Sequence, residues 1–315
     1  MHREACLLAS AAGVCMRKSI GLILAATLVS SGNAKPREVR QLAPSSQWVV
    51  NWAEQSCSLA RVFGDGDRKV TVFFDQFEPG DDFSLTMVGK SIGEVAGSPV
   101  GATLQFGPSE AQDDVTAVGA TTKDSPALIL QGTQRLAPPT EAEKTARKKY
   151  RGDGRQYELA PVGPARERAV TWLRLNKVLR YDLQLETGPM DAPLAALRDC
   201  SWDMVKSWGL DVEQQKHLSR KAYPLQPSAS WFSADDYPAK MQQEGSEAIV
   251  NFRVLVSESG VPTLCHIQTS TRPKAFDDVV CALVMKRARF HPALDSQGKA
   301  VPSYWRQTVT FRLSS

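Results

Sequence analysis

The last third of the chain changes its hydrophobic period twice, and this pattern restricts the fold more than any other feature of the sequence. Apolar residues alternate with others from Val250 to Val256, which predicts a strand. Ser259-Gly260 supplies a turn. Cys265 and Ile267 then share one face of a second extended segment, so the two segments predict a hairpin.

A helix and a closing strand are predicted to follow this hairpin. Apolar residues recur at steps of three and four, which is typical of a helix with one buried face. They are Phe276, Val279, Val280, Leu283 and Val284. From Tyr304 to Leu313 the alternation returns, so the predicted order is strand, strand, helix, strand, in an α+β fold.

Three short motifs flank these elements. Tyr237-Pro238-Ala239 stands at the entrance, and Ser270-Thr271 precedes Phe276-Asp277. The run Arg289-Phe290-His291-Pro292-Ala293 ends the helix. In this order and spacing, residues 231–315 resemble the C-terminal domain of the TonB family.

The resemblance implies a small antiparallel sheet with one packed helix. It also implies binding of an outer-membrane receptor or periplasmic partner, by addition of an extended peptide to the sheet edge. Arg272 stands where many family members have glycine, and Ser246-Glu247-Ala248 replaces a Gly-rich step. No Pro-rich rod precedes the domain. These departures count against energy transduction and leave the implied fold unchanged.

The closing strand is the predicted peptide-binding edge. The candidate contacts are Tyr304, Arg306, Thr308, Thr310 and Arg312. Two alternatives stay open: the strand is central, or its edge pairs with a second copy to give a homodimer. A structural role is expected for Tyr237 and Pro238, because the residue before proline is held extended. Phe290 is assigned to stability.

The first 34 residues are interpreted as an export signal. Met16 is the expected start, Arg17-Lys18 the basic region and Ile20 to Val29 the apolar run. Cleavage is expected after Ala34, which would place the protein in the periplasm. The alternative is an uncleaved anchor in the inner membrane, although the run is shorter than the roughly 20 residues of a typical span.

Four cysteines remain beyond this signal, and an even number suits disulfides in an exported protein. Cys265 lies on the second predicted strand and Cys281 on the helix above it, which favours one bridge there. The other expected bridge joins Cys57 to Cys200 and ties together the two ends of the preceding region.

A β-rich first domain, a sandwich or open barrel, is predicted over residues 35–215, followed by a linker at 216–230. The expected strands are Gln47–Trp52, Cys57–Phe63, Lys69–Phe74, Phe83–Val88, Ala102–Phe106, Ala127–Gln131 and Tyr181–Leu185. From Asp191 to Trp208 the apolar residues have helical spacing.

The stretch from Glu141 to Arg155 is mostly basic. It is either a solvated helix or loop, which we favour, or a binding patch for anionic lipid headgroups.

Catalytic and metal motifs give little support for an enzyme. The formal net charge of +4 implies no nucleic-acid partner. Gly89-Lys90-Ser91 lacks the first glycine of a phosphate-binding loop, since Ser84 occupies that place. Turn chemistry explains Asp65-Gly66-Asp67 without calcium. No cofactor, metal site or catalytic residue is therefore predicted.

Two functions follow from this reading. The first is a non-enzymatic periplasmic adaptor that binds an envelope protein or extended peptide through the TonB-like domain. The alternative is a membrane-anchored transducer that couples to outer-membrane transport. A weaker third reading is a hydrolase in the first domain, which would require a concave pocket with paired carboxylates.

Overall fold

The computed structural model describes residues 37–93, 95, 99–122, 125–151, 157–271 and 273–313. The predicted export signal and its cleavage site lie outside these residues, as do Arg155 and Arg272. Of the helices in the described ranges, none combines the length and apolar character needed to cross a bilayer.

A curled sheet in the form of a half-barrel makes up the first part of the described chain. Its strands are β1 (Val39–Leu42), β2 (Val49–Ala53), β3 (Ser56–Phe63), β4 (Val70–Gln76), β5 (Ser84–Val88), β6 (Val100–Phe106), β7 (Asp113–Thr121), β8 (Pro126–Leu130), β9 (Leu173–Asn176) and β10 (Asp182–Leu185). They lie in the order β1-β10-β9-β6-β7-β8-β5-β4-β3-β2. Neighbours are antiparallel except β1 and β10, which are parallel.

The chain after β1 crosses to the far end of this sheet. Pro44 forms a bridge with Phe63 of β3, and the N–H of Ser45 donates to the C=O of Val62 at 2.9 Å. This crossing draws the two ends of the sheet toward each other. β2 continues along the same side of β3 and forms the last strand of the sheet.

Alternate side chains of the half-barrel form the first core. In β4, Val70, Val72 and Phe74 are buried, and the Phe74 ring meets Phe83 edge-on at 4.8 Å. The helix α3 (Asp191–Ser207) packs on this core through residues such as Leu197. The remaining helices of this part are α1 (Glu141–Arg151), α2 (Pro164–Ala169) and α4 (Val212–Lys216). The predicted β-rich region with a helical end is confirmed, as a half-barrel.

The basic stretch forms α1 as far as the structure describes it. Lys144 lies 3.5 Å from Asp113, and Arg147 lies 3.6 Å from Asp82. Two of its cations therefore face carboxylates of this sheet region.

A smaller layer of sheet and helix follows. Its strands are β11 (Tyr223–Pro224), β12 (Ala248–Val256), β13 (Pro262–Ser270), β14 (Phe290–His291), β15 (Ala293–Leu294), β16 (Ala300–Val301) and β17 (Ser303–Phe311), and its helices are α5 (Ala239–Gln243) and α6 (Lys274–Arg287). The main sheet has the order β13-β12-β17. α6 packs on one face of this sheet, where Phe276, Val280 and Val284 are fully buried. The predicted strand, strand, helix, strand order is confirmed.

The segment predicted to be a linker is built into this second layer. β11 within it pairs with β14, and just beyond it the buried Trp231 ring lies 5.3 Å from Trp305. Buried side chains fall into two clusters, one between Leu42 and Trp208 and the other between Ala222 and Phe311. The domain boundaries at 215 and 231 remain predictions.

Two disulfides hold helices on sheets. Cys57 on β3 bonds Cys200 on α3, with 6.0 Å between the Cα atoms. Cys265 on β13 bonds Cys281 on α6, with 5.4 Å between the Cα atoms. Both pairings are those favoured from the sequence.

Candidate functional site

The predicted binding strand, β17, lies at an edge of its sheet. β12 pairs with one side of it in an unbroken antiparallel register, with Val250 opposite Val309. Within the described ranges, no strand pairs with the other side. Open edges of this kind carry unpaired N–H and C=O groups.

The hydrogen bonds of β12 identify the residues that face this open side. Ile249 donates its N–H to the hydroxyl of Thr271 and accepts the Thr271 N–H through its C=O, so both groups point toward β13. Strand residues alternate in this direction, and the even-numbered residues of β12 therefore pair with β17. Their partners in β17 have odd numbers. The outward groups consequently belong to Tyr304, Arg306, Thr308 and Thr310.

The first half of β17 packs against the half-barrel through Arg306. Its guanidinium donates to Glu78 at 2.9 Å and to the side-chain oxygen of Gln268 at 3.0 Å. Gln268 in turn donates to the C=O of Phe77 at 2.7 Å. The Arg306 guanidinium therefore makes its contacts within the chain.

Tyr304 and Arg253 on the same sheet face enclose Trp208 from the end of α3. The rings of Trp208 and Tyr304 are 5.1 Å apart, and the Arg253 guanidinium lies 3.8 Å from the centre of the Trp208 ring. Arg253 is 2% exposed and donates to Gln55 at 2.9 Å. Burial raises the pKa of Tyr304 and lowers the pKa of Arg253 to about 10. Arg253 remains cationic at neutral pH, where the aromatic face stabilises it.

The second half of β17 is open. Thr308 and Thr310 are exposed, and the Thr308 hydroxyl donates to Asn251 at 2.5 Å. Arg312, just past the strand, is also exposed and makes no ion pair with any described carboxylate. We call residues 307–311 the open half of β17. The five predicted contacts thus divide into a covered pair and an exposed group of three.

The aromatic residue of the entrance motif supports this strand from its inner face. The Tyr237 ring lies 5.4 Å from Phe276 and 5.7 Å from Phe311, edge-on to both. Its hydroxyl donates to the C=O of Ser246 at 2.5 Å. Pro238 then precedes α5 as its N-terminal cap position. These contacts fasten the entering chain to the end of β17.

The motif at the end of α6 serves packing. Phe290 is buried, with its ring 5.5 Å from Trp305, and its N–H donates to the C=O of Gly260 in the hairpin turn. Pro292 accepts from Arg220 through its C=O. Arg289 is exposed and donates to the C=O of Ala288 at 2.6 Å.

Metal ions in proteins are held mainly by acidic, cysteine and histidine side chains. In the described residues, no three of them lie close enough to hold an ion. His291 stacks on Tyr223 at 4.4 Å. Burial and the nearby charge of Arg253 lower the pKa of His266.

The sequence patterns did not predict the residues that join the half-barrel to the smaller sheet. Glu78, Trp208 and Gln268 approach β17 from separate parts of the chain, and Arg306 is 228 positions from Glu78. The one available signal was Arg253, a cation within an apolar strand.

The described residues define a small α+β domain in which β17 lies at an edge of the main sheet. Residues 233–313 match the family model described as the Gram-negative bacterial TonB protein C-terminal. This segment contains β12, β13, α6 and β17 together with all three motifs. It is TonB-like and covers about a quarter of the chain. No curated protein matches the chain.

Proposed function

We propose that the protein is a non-enzymatic adaptor of the bacterial periplasm, which captures an extended segment of an envelope protein at the open half of β17. Domains of the TonB C-terminal family interact with outer-membrane proteins in general. The proposal assigns the same kind of partner to this chain. It treats the half-barrel as a fixed support for the binding strand.

The observation that carries the proposal is the pair of outward-facing threonines. Thr308 and Thr310 direct N–H and C=O groups to the open side, and both side chains are exposed. An added strand would satisfy these groups, each hydrogen bond contributing about 1 kcal/mol net.

Side chains around the open half suggest what it selects. Ile249, 36% exposed, lies opposite Thr310 in the ladder and offers an apolar contact. Arg312 offers a cation at the end of the strand that forms no ion pair with a described carboxylate. An extended segment with an apolar residue followed by a carboxylate would complement both.

Thr308→Pro in the full chain tests the proposal. Proline removes only an outward N–H, because Thr308 belongs to the set that does not pair with β12. A photoreactive residue at Thr310 reports the partner by cross-linking in cells and mass spectrometry. We expect cross-links to an outer-membrane protein, and their loss in Thr308→Pro. The matched control Thr308→Val keeps the N–H and should retain them.

Two results would contradict this function. Cross-links that persist in a folded Thr308→Pro variant would exclude strand addition at this edge. Cross-links only to a second copy, with a dimer mass that Thr308→Pro abolishes, would mean that the edge serves self-association.

The family match also suits the anchored transducer. That function requires the apolar run at residues 20–29 to stay attached as a membrane anchor. Intact mass of protein isolated from an envelope fraction distinguishes the two. A mass beginning at Lys35 supports the adaptor, and one beginning at Met16 supports the transducer.

A further inference from the structure

The half-barrel ends in a second edge strand, β2, far from the family segment in sequence. β3 pairs with one side of β2, and in the described part of the chain no strand pairs with the other. The hairpin loop between them is Glu54-Gln55, so Ala53 and Ser56 form a hydrogen-bonded pair. Alternation then directs the N–H and C=O groups of Val50 and Trp52 to the open side.

Hydrogen bonds further along β3 agree with this alternation. The N–H of Val62 donates to the hydroxyl of Ser46, and its C=O accepts the N–H of Ser45. Even-numbered residues of β3 therefore face the β2 side. Their partners in β2 are Val49, Asn51 and Ala53, which leaves Val50 and Trp52 directed outward.

The same two residues line a surface groove of about 480 Å³ between β2 and α3. The remaining lining residues are Ala196, Asp199, Cys200 and Asp203. The Trp52 side chain is 53% exposed. The Cys57–Cys200 disulfide holds α3 beside this strand, because Cys57 lies directly opposite Trp52 in the ladder. A large exposed aromatic side chain at an open strand edge is typical of an interaction site.

The charge of the groove is negative. Asp199 and Asp203 are exposed, and neither forms an ion pair with a described cation. Four residues apart on α3, they lie on one side of the helix with about 5–6 Å between their Cβ atoms. Alternate side chains of a strand are about 6.8 Å apart on one face. Two basic side chains separated by one residue would therefore match both carboxylates.

We propose that β2 and this groove bind an extended cationic segment of another protein by strand addition. The residues of that segment opposite Val50 and Trp52 carry lysine or arginine toward Asp199 and Asp203. Apolar atoms of these long side chains cover Trp52. The site is separate from β17 and does not depend on the function proposed for that strand.

Charge also argues against a second copy as the occupant. Two-fold pairing of β2 edges would place Asp199 and Asp203 of both copies on the same face of a continuous sheet. These four carboxylates would repel one another, which disfavours that pairing.

The test uses the full chain and a synthetic, labelled peptide of about seven residues, a normal strand length, in which lysine alternates with valine. Fluorescence anisotropy gives its affinity, and NMR amide shifts locate it. We expect shifts at Val50 and Trp52, and affinity that falls with added salt. A peptide with glutamate in place of lysine should not bind.

Asp199→Asn with Asp203→Asn should weaken binding of the lysine peptide by about tenfold, since two exposed ion pairs are lost. A matched double variant, Asp114→Asn with Asp235→Asn, removes equal charge elsewhere and should bind normally. Val50→Pro removes an outward N–H, leaves the β2–β3 ladder intact and should also weaken binding.

Unchanged affinity in the Asp199→Asn, Asp203→Asn variant would overturn the proposal, as would shifts confined to other surfaces. A concentration-dependent dimer that Val50→Pro abolishes would identify a second copy instead and also overturn it. Thr308→Pro should leave binding of the lysine peptide unchanged. Binding of the lysine peptide to the Thr308→Pro variant therefore tests the β2 site separately from the function proposed for β17.

Discussion

Arg306 on the edge strand donates to Glu78 in the turn between β4 and β5 at 2.9 Å, and this contact joins the small sheet to the half-barrel. The side chains of Arg306 and Glu78 are 16% and 30% exposed. Partial burial reduces screening by solvent, and removal of either partner leaves the other charge poorly compensated. The strand proposed to bind a partner through its second half is thus held to the half-barrel by its first half.

Arg306→Ala should lower the free energy of unfolding by about 2 kcal/mol, the scale of a hydrogen bond to a charged group. Urea denaturation of Arg306→Ala, Glu78→Ala and the double variant measures this loss and the coupling between the two residues. Arg312→Ala is the matched control and should change stability little, because Arg312 is exposed. Additive losses in the double variant would show that the pair contributes no coupling.

Sequence patterns predicted the elements that combine length with a regular apolar period. β12, α6 and β17 each have one buried face, and α3 shows the same pattern over Asp191–Ser207. The two disulfides followed because Cys200 on α3 and Cys281 on α6 lie over Cys57 on β3 and Cys265 on β13.

Elements without such a pattern were missed. β7, Asp113–Thr121, buries little of either face, so its residues give no apolar alternation. β1 and β9 have only four residues each. Their pairing is decided by neighbours distant in sequence, as with Val39 of β1 opposite Asp182 of β10.

The covered half of β17 was also beyond prediction. The side chains of Tyr304 and Arg306 lie on the sheet face opposite the buried face of β17, where polar and aromatic side chains normally contact solvent. Trp208 and Glu78 cover them, and neither residue carries a local signal for that contact.

Gly260 in the turn between β12 and β13 should not accept a side chain. Its φ of +77° is unfavourable for other residues, and an added Cβ would lie 2.0 Å from the C=O oxygen of Phe290. We expect Gly260→Ala to cost about 3 kcal/mol, from strain and overlap together. Gly298 has a φ of +80° with no atom near its Cβ position, so Gly298→Ala should cost about 1 kcal/mol. Equal losses in urea denaturation would contradict the role given to the Phe290 contact.

The two disulfides should differ in their contribution to stability. Cys57 and Cys200 are 143 positions apart, whereas Cys265 and Cys281 are 16 apart. Chain entropy predicts losses of about 5 kcal/mol and about 3 kcal/mol when each pair is changed to alanine. Thermal unfolding of both double variants measures the order. A larger loss from the short loop would mean that local packing outweighs chain entropy.

Asp236 should make stability depend on pH at the acidic end. Arg287 donates to both oxygens of its carboxylate, at 2.6 and 2.9 Å, and Ser233 donates to one of them. These bonds, chiefly those from the Arg287 guanidinium, hold the pKa of Asp236 well below its ordinary value of 3.8. Since the folded state binds the proton less readily than the unfolded state, the stabilisation is complete above pH 3.8 and is lost as the pH falls through the lower folded pKa.

Asp236→Asn should lower the free energy of unfolding at pH 7, and the difference from the wild type should shrink as the solution is acidified below pH 3.8. Urea midpoints measured across this range test the prediction, with Asp235→Asn at the neighbouring exposed carboxylate as the control. A constant difference at every pH would show that packing of the Asp236 side chain, and not its charge, stabilises the domain.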